Sequence, residues 1–441
     1  MALLSLTAAA KVTPEQAARL GDDLTPLGAE AAANADGSIP AWAGGLTAPS
    51  ETYAGKGARY VDPYPGDKPL ATITAANLEA YRARLTPGQL ALFAKYPDSY
   101  AMRVFPTRRS FANPVAVYVA TRQNATAAEL SADGESLSGA SVGIPFPITE
   151  SGREAIWNHR LSYRDVSVRR WNNQFAVSAS GEYNAVKLRE DRLLLYARPD
   201  VVQEKPGNAL QFLLQVAVEP ARLAHGFTLI HDYLDGTAHP REGWQFSPGQ
   251  SQWRRASNLS YDNYAPATDG LRTHDQADMF SGALDRYDWK LEGKREAYIP
   301  VNAYALHSDR VKYPELLRKG HLNPDFARYE RRRVWVVTAR VKKGGVGNLY
   351  ARRTFYLDED SWQIALVELY DEQDNLWRVQ EAHSLVAYDQ PWQTTVLQLT
   401  YDLPSGRYLA EGLDNEDEAA REQAADAAAF TPVRAARAAR K

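Results

Sequence analysis

Residues 352–379 read RRTFYLDEDSWQIALVELYDEQDNLWRV, three runs of aromatic and β-branched residues split by two acidic turns, Asp358-Glu359-Asp360 and Asp371-Glu372-Gln373-Asp374-Asn375. Runs of this kind between turn residues predict an antiparallel meander. In the middle run a period of two sets Trp362, Ile364, Leu366 and Tyr370 on one face, interrupted by Glu368. The other face carries Ala365, Val367 and Leu369 with Gln363. An antiparallel strand with one face in water alternates apolar and polar positions. This one is apolar on both sides, so each face must be covered, either by more protein or by a hydrophobic ligand.

The strand period extends far beyond the meander. From about residue 163 onward, strands are predicted at 175–180, 185–188, 193–197, 210–218, 227–234, 244–246, 253–256, 289–298, 334–342, 349–357 and 394–401. Short turns such as SGEYN, LDGT, LEGK, KKGGVGN and DLPSG join many of them. Ten or more strands at hairpin spacing, without a low-complexity linker, predict one large antiparallel sheet domain over 151–411. A twisted sheet that wide has to curl.

Residues 11–150 read as a helical and loop-rich segment packing on that sheet. Thr13-Pro14-Glu15-Gln16 and Thr86-Pro87-Gly88-Gln89 each place a hydroxyl at the N-cap, Pro at the first helical position and Gln at the third. Ser151-Gly152-Arg153-Glu154 is a capping box opening EAIWNHRL, with Trp157 and Leu161 on one face. The loop at 34–46 holds one anchor candidate, Trp42. After residue 411 the composition shifts: LDNEDEAAREQAADAAAF suits an acidic surface helix, and Arg434, Arg437, Arg440 and Lys441 form a basic tail read as a solvated, frayed end within 412–441.

Composition sharpens the β reading. The 441 residues include 24 Tyr and 10 Trp against 3 Met, a bias towards pleated, half-buried surfaces and wet-edged pockets. A net charge of −3 and a pI near 6.3 argue against a nucleic-acid binder. No run approaches the ~18 apolar residues of a transmembrane segment. Residues 1–10, MALLSLTAAA, resemble the apolar core and Ala-rich cleavage end of a secretory signal without its basic start, and predict export to the periplasm. The absence of cysteine excludes disulfides, thiolate metal sites, a cysteine nucleophile and a lipidated cysteine anchor.

Catalytic chemistry is hard to find. The histidines at 159, 225, 231, 239, 274, 307, 321 and 383 are scattered; His225, His231-Asp232 and His239 are the one set that could converge on a metal, and hydrogen bonding accounts for them more simply. There is no G-x-S-x-G elbow. Lys342-Lys343-Gly344-Gly345-Val346-Gly347 lies between strands, not before a helix, and reads as a hairpin loop. The two acidic turns lack calcium-loop spacing. No cofactor, metal site or catalytic residue is therefore assigned, and the chain reads as a binding protein, not an enzyme. Arginine pairs at 108–109, 169–170, 254–255, 331–333 and 352–353 send one guanidinium to each strand face. An inward arginine needs a carboxylate, a phosphate or water. The 54 acidic residues offer ion pairing; the alternative is a polar mouth for an anionic headgroup, with Arg333 and Arg353 as candidates.

Several long motifs carry a resemblance: LTPLGAEAAANADGSIPAWAGGL, GIPFPITESGREAIWNHRLSYR, MFSGALDRYDWKLEGKREAYIPVNAY, RYERRRVWVVTARVKKG and the meander itself. Together they resemble the proteobacterial family called domain of unknown function 1329, over about residues 11–410. Where that family often has an arginine-rich run after the PGQ turn, this chain has Ser251-Gln252-Trp253 before Arg254-Arg255, which puts a shared arginine role there in question. The resemblance implies an α+β fold similar to that of the outer-membrane lipoprotein-sorting proteins, in which a strongly curved antiparallel half-barrel wraps helices and leaves an apolar cavity. It also implies export, and a link to resistance-nodulation-division type transporters or outer-membrane proteins. On this reading Trp362, Ile364, Leu366 and Tyr370, with Trp377 and Val379 across the turn and Trp335, Val337 and Trp289 nearby, line a cavity for a hydrophobic or lipidic ligand such as a lipid, an acyl chain or a lipoprotein. The expected function is a periplasmic carrier. The alternative is an envelope structural or interaction module whose core is filled by its own side chains.

Overall fold

The computed structural model describes residues 12–440 except 199–207, 251, 345–347 and 423–425. The export-like segment 1–10 and the centre of the glycine loop lie outside the described residues. The helices are α1 (Pro14–Ala18), α2 (Pro87–Lys95), α3 (Val115–Ala127), α4 (Gly152–Leu161), α5 (Tyr313–Leu316) and α6 (Pro432–Ala438). All three capping boxes read from the sequence form, at Thr13, Thr86 and Ser151.

The strands are β1 (Ala71–Ile73), β2 (Met102–Phe105), β3 (Glu129–Leu130), β4 (Leu137–Ser138), β5 (Ser167–Val177), β6 (Tyr183–Leu194), β7 (Ala209–Glu219), β8 (Phe227–Tyr233) and β9 (Glu242–Phe246). After these come β10 (Arg254–Ala256), β11 (Tyr287–Pro300), β12 (Tyr329–Val341), β13 (Arg352–Asp358), β14 (Ile364–Tyr370), β15 (Leu376–Ala387), β16 (Trp392–Asp402), β17 (Arg407–Leu413) and β18 (Arg421–Glu422). Apart from the small β3–β4 ladder they form one sheet ordered β1-β2-β12-β13-β14-β15-β16-β17-β5-β6-β7-β8-β9-β10, with β11 beside β12 and β18 beside β5. Every pairing is antiparallel except β2 with β12. The meander at 352–379 is β13, β14 and the start of β15, as its turns predict. Among the described residues the sheet stays open, because β10 pairs only with β9 and β11 only with β12. Register shifts interrupt ladders along its length, at Leu291, Leu357, Tyr370, Ser384, Leu413, Lys187 and Gln211. Each bulge bends its strand and adds right-handed twist, which is the local source of the curl.

Both faces of β14 are covered by protein. The strict period of two fails at Ala365, since Tyr356 faces Leu366 while Leu357 faces Ile364. The extra residue turns Ile364 to the side of Val367 and Leu369, where these pack with Ile156 and Trp157 of α4. Leu366 and Ala365 join Val334, Tyr356 and Ile299 in a separate cluster. The start of α2 reaches the same strand, and the Gly88 N–H donates to Glu368 Oε1 at 2.7 Å.

The acidic turn after β13 does more than reverse the chain. Asp358, Glu359 and Asp360 are buried. Asp360 accepts from Arg109 at 2.6 Å and Arg332 at 3.0 Å, and Glu359 accepts from Arg333 at 2.7 Å. The same arginines donate to backbone of the N-terminal segment, Arg109 to Glu30 O at 2.8 Å and Arg333 to Ala32 O at 3.0 Å. Next to that clamp, Gly28 has φ +95° and a Cβ there would stand 1.8 Å from the Pro147 carbonyl oxygen. Only glycine allows this approach. Trp42, the expected anchor in the loop that follows, is half-buried.

The C-terminal expectation is corrected. Among the described residues, 412–422 run as strand and turn, and the helix lies further on, in α6. Phe430, Ala435 and Ala439 pack on Leu193, Leu214, Phe227 and Leu229, while Arg434, Arg437 and Arg440 face solvent. A repeat of three in a short helix with alanines at i and i+4 gives one apolar and one basic face, so this end is docked.

Candidate binding cleft

The residues expected to line a cavity are buried or half-buried against other side chains of the protein. Trp362 sits in the turn before β14 with φ +61°, fully buried; its indole N–H donates to Leu27 O at 2.8 Å, and its ring stacks on Trp335 at 5.8 Å. Trp289 stacks on Phe355 at 5.7 Å, and Val337 and Ile364 fill the cluster under α4. Leu366 and Val379 lie in other clusters. Tyr370 donates to Glu368 at 2.8 Å beneath the Arg352 guanidinium. Trp377 is half-buried and donates to Asp402 Oδ2 at 3.0 Å. The two arginines proposed for a polar mouth are ion-paired inside the protein, Arg333 with Glu359 at 2.7 Å and Arg353 with Asp275 at 2.5 Å. None of these residues borders the cavities over β5–β9. The correction has a plain cause: α2, α4 and the N-terminal segment fill the space over β12–β15.

The open space lies on the other half of the sheet. A cleft of about 300 Å³ runs across β5–β9, roofed by the end of α4 and the loop at 265–281. A second cavity of about 480 Å³ adjoins it and shares Val168, Arg170, Thr394, Thr395 and Gly412. The ladder sets two kinds of rung along the floor. One rung is polar, pairing Arg170 with Glu190, then Gln215, then Thr228. The next is apolar but for one residue: Val168, Arg192, Leu213 and Ile230. The reverse face of β6–β8 is closed by α6, so this half too has cover on one side, and the cleft occupies the other.

Charge inside the cleft is mostly compensated. Arg170 meets Glu190 at 2.5 Å, Arg241 meets Asp232 at 2.5 Å, and Arg272 meets Glu411 at 2.8 Å. Arg164 pairs with Asp278. Burial opposes ionisation of Glu190 and Asp232, yet their arginines outweigh it and hold both carboxyls below the usual range. For Glu411 burial wins over Arg272 and the carboxyl is pushed up. Arg192 is different: it makes no ion pair or side-chain hydrogen bond among the described residues, and its Nε is buried without an acceptor. Burial, then Arg164 and Arg170, push this guanidinium down to about 10. The signal for this site was present in the β5 and β6 sequences, where V-x-R-x-N-x-Q and L-x-E-x-R-x-L put charged and apolar residues on one face. Such a face suits neither a dry core nor open water.

Two of the histidines hold the C-terminal segment. His231 and His225 hydrogen-bond to the Phe430 and Ala439 carbonyls of the C-terminal segment at 2.8 and 2.7 Å. Among the described residues no three His, Asp or Glu side chains group to hold a metal ion, and no helix is long and apolar enough to cross a membrane.

Comparison with known proteins gives the family. The model for "Protein of unknown function (DUF1329)" matches residues 72–435. The chain belongs to the DUF1329 family. A relative, uncharacterized protein PA3922 of Pseudomonas aeruginosa, is 45% identical over 422 residues, 95% of this chain and 92% of that protein. Among solved structures, a DUF1329 family protein from Desulfovibrio piger is similar with a TM-score of 0.43 and 14% identity, over 63% of this chain and 95% of that one. A domain from Vibrio parahaemolyticus named for outer membrane lipoprotein sorting is similar with a TM-score of 0.41 and 12% identity, over 61% of this chain and 91% of that one.

Proposed function

We propose that this DUF1329 protein is a non-enzymatic carrier that holds a hydrophobic or lipidic molecule in the β5–β9 cleft. The observation that carries this reading is the free volume enclosed over the β5–β9 face. Elsewhere the apolar sheet surface is buried under helices, whereas here Leu188, Leu213 and Ile230 border free volume. Cavities of about 300 and 480 Å³ that meet along Val168 and Arg170 fall in the range of small-molecule sites. The leader-like first ten residues support a periplasmic setting, and the family resemblance supports partnership with an envelope transporter or outer-membrane protein.

The test is mass spectrometry, native and after solvent extraction, on protein exported to the periplasm and purified without detergent. The expected result is a bound species of defined mass that organic solvent releases. An empty, well-folded protein that also takes up no hydrophobic probe would return the chain to the class of interaction modules.

A further inference from the structure

The cleft has donors left over. Arginine can only donate hydrogen bonds, and two guanidiniums in the cleft have buried nitrogens with no acceptor, Arg192 Nε and Arg160 Nη1. Two amides add free donors, Gln245 Nε2 and Gln363 Nε2; the orientation of Gln363 is set because its Oε1 accepts from Arg164 Nη2 at 3.0 Å. Against these stands one unsatisfied acceptor, Gln174 Oε1. Buried donors without acceptors cost stability; both arginines are half-buried, and it is Arg192 Nε and Arg160 Nη1 that are shut off from water. A fold that keeps Arg192 within an apolar rung, between Val168 and Leu213, with no carboxylate in contact among the described residues, leaves room for an acceptor from outside.

We propose that Arg192 receives the oxyanion head, a phosphate or a carboxylate, of an amphiphile whose chain lies along the Leu213–Ile230 side of the cleft. Arg164 and Arg170 add positive potential, but their own carboxylates already hold them, and Arg160, which also has no ion pair among the described residues, lies over the Trp157 ring, so Arg192 supplies the free charge on the apolar rung. The assignment rests on the carrier reading and refines it by naming the ligand class. The depressed proton affinity of Arg192, caused first by burial and then by Arg164 and Arg170, agrees with it, since a bound anion would favour the charged form.

The experiment measures binding of decyl phosphate, decanoate, decanol and inorganic phosphate, each below its micelle concentration, to the full chain and to Arg192→Gln. The charged decyl probes should bind on the order of tenfold to a hundredfold more tightly than decanol. Arg192→Gln should abolish that preference by weakening the two charged decyl probes about tenfold or more and decanol by far less. The variant should also melt no lower than the parent, since it removes an uncompensated charge. Equal affinity for charged and neutral decyl probes, unaltered by Arg192→Gln, overturns the headgroup assignment and leaves the carrier standing. Inorganic phosphate binding as tightly as decyl phosphate overturns the amphiphile in favour of a free oxyanion. Failure of every decyl probe to bind removes the carrier reading and this assignment with it.

Discussion

Arg353 Nη2 lies 2.5 Å from Asp275 Oδ2, and its Nε donates to the Tyr287 hydroxyl at 3.1 Å, with both charged side chains buried among Phe280, Tyr287 and Tyr350. An ion pair removed from water in this way is held by its geometry, and losing one partner strands the other charge. Arg353→Met should therefore lower unfolding stability by about 3–5 kcal/mol, and Asp275→Asn should act in the same direction. Pairing Arg353→Met with Asp275→Leu should recover part of that loss. Urea unfolding of the four proteins measures this, and probe affinity in the folded state should be unchanged.

The tryptophans of the meander make the same separation between packing and binding. Trp362 is fully buried, stacked on Trp335 and hydrogen-bonded to the N-terminal segment. Trp362→Ala should cost about 3–5 kcal/mol. Trp377 is half-buried, so Trp377→Ala should cost less, chiefly through the lost contacts to Tyr350 and Asp402. Neither change should alter uptake of a hydrophobic probe by folded protein. A Trp377→Ala variant of unchanged melting temperature and weakened probe binding would instead place Trp377 in a ligand site.

These two cases mark what the sequence made legible. The capping boxes at Thr13, Thr86 and Ser151, the meander and the single curved sheet followed from local chemistry and period, which act over a few residues. The cleft did not, because it depends on which half of a sixteen-strand sheet the helices cover. Two-sided apolarity in β14 says that cover exists, not what supplies it; the answer lies in α4 and α2, distant in sequence. One bulge at Ala365 was enough to put Ile364 and Leu366 on opposite faces. Arg333 and Arg353 met carboxylates, as pairing with the acidic residues allows. The unpaired arginine on the apolar rung of the cleft is Arg192, outside any arginine pair and distinguished by its neighbours across the ladder.

His159 supplies a pH signature. It is buried, its Nδ1 accepts from the Ile364 N–H at 3.2 Å, and Nε2 meets the Asp278 carbonyl oxygen at 2.8 Å. Both bonds are made by the neutral ring with its proton on Nε2. Burial lowers its affinity for a second proton, and the ring is pushed down to about 4. With a folded pKa below the unfolded one, the unfolded chain binds more protons in between, so stability is full above about pH 6.5 and falls as the pH drops towards 4. The loss from this residue should approach about 3 kcal/mol. Denaturation series at several pH values should show this slope, and His159→Gln should flatten it.

The docked C-terminus gives the last expectation. Phe430, Ala435 and Ala439 cover Leu193, Leu214 and Leu229 on the face of β6–β8 opposite the cleft. Arg189, His225 and His231 add hydrogen bonds to the Ala438, Ala439 and Phe430 carbonyls at 3.1, 2.7 and 2.8 Å. A frayed basic tail could be removed without cost, whereas a seated helix could not. Phe430→Ala should lower stability by about 3 kcal/mol or more, and deletion of 426–441 should cost at least as much. The deletion should also expose an apolar sheet face that binds a hydrophobic dye and promotes association. Because α6 and the cleft lie on opposite faces of the same strands, the folded fraction of Phe430→Ala should still bind decyl phosphate with parental affinity. A variant with parental melting temperature and no added dye binding would mean that the helix is not seated on the sheet. Charge reversal at Arg434 and Arg437, which face solvent, should leave stability within about 0.5 kcal/mol, so the apolar side of α6 is what fastens it.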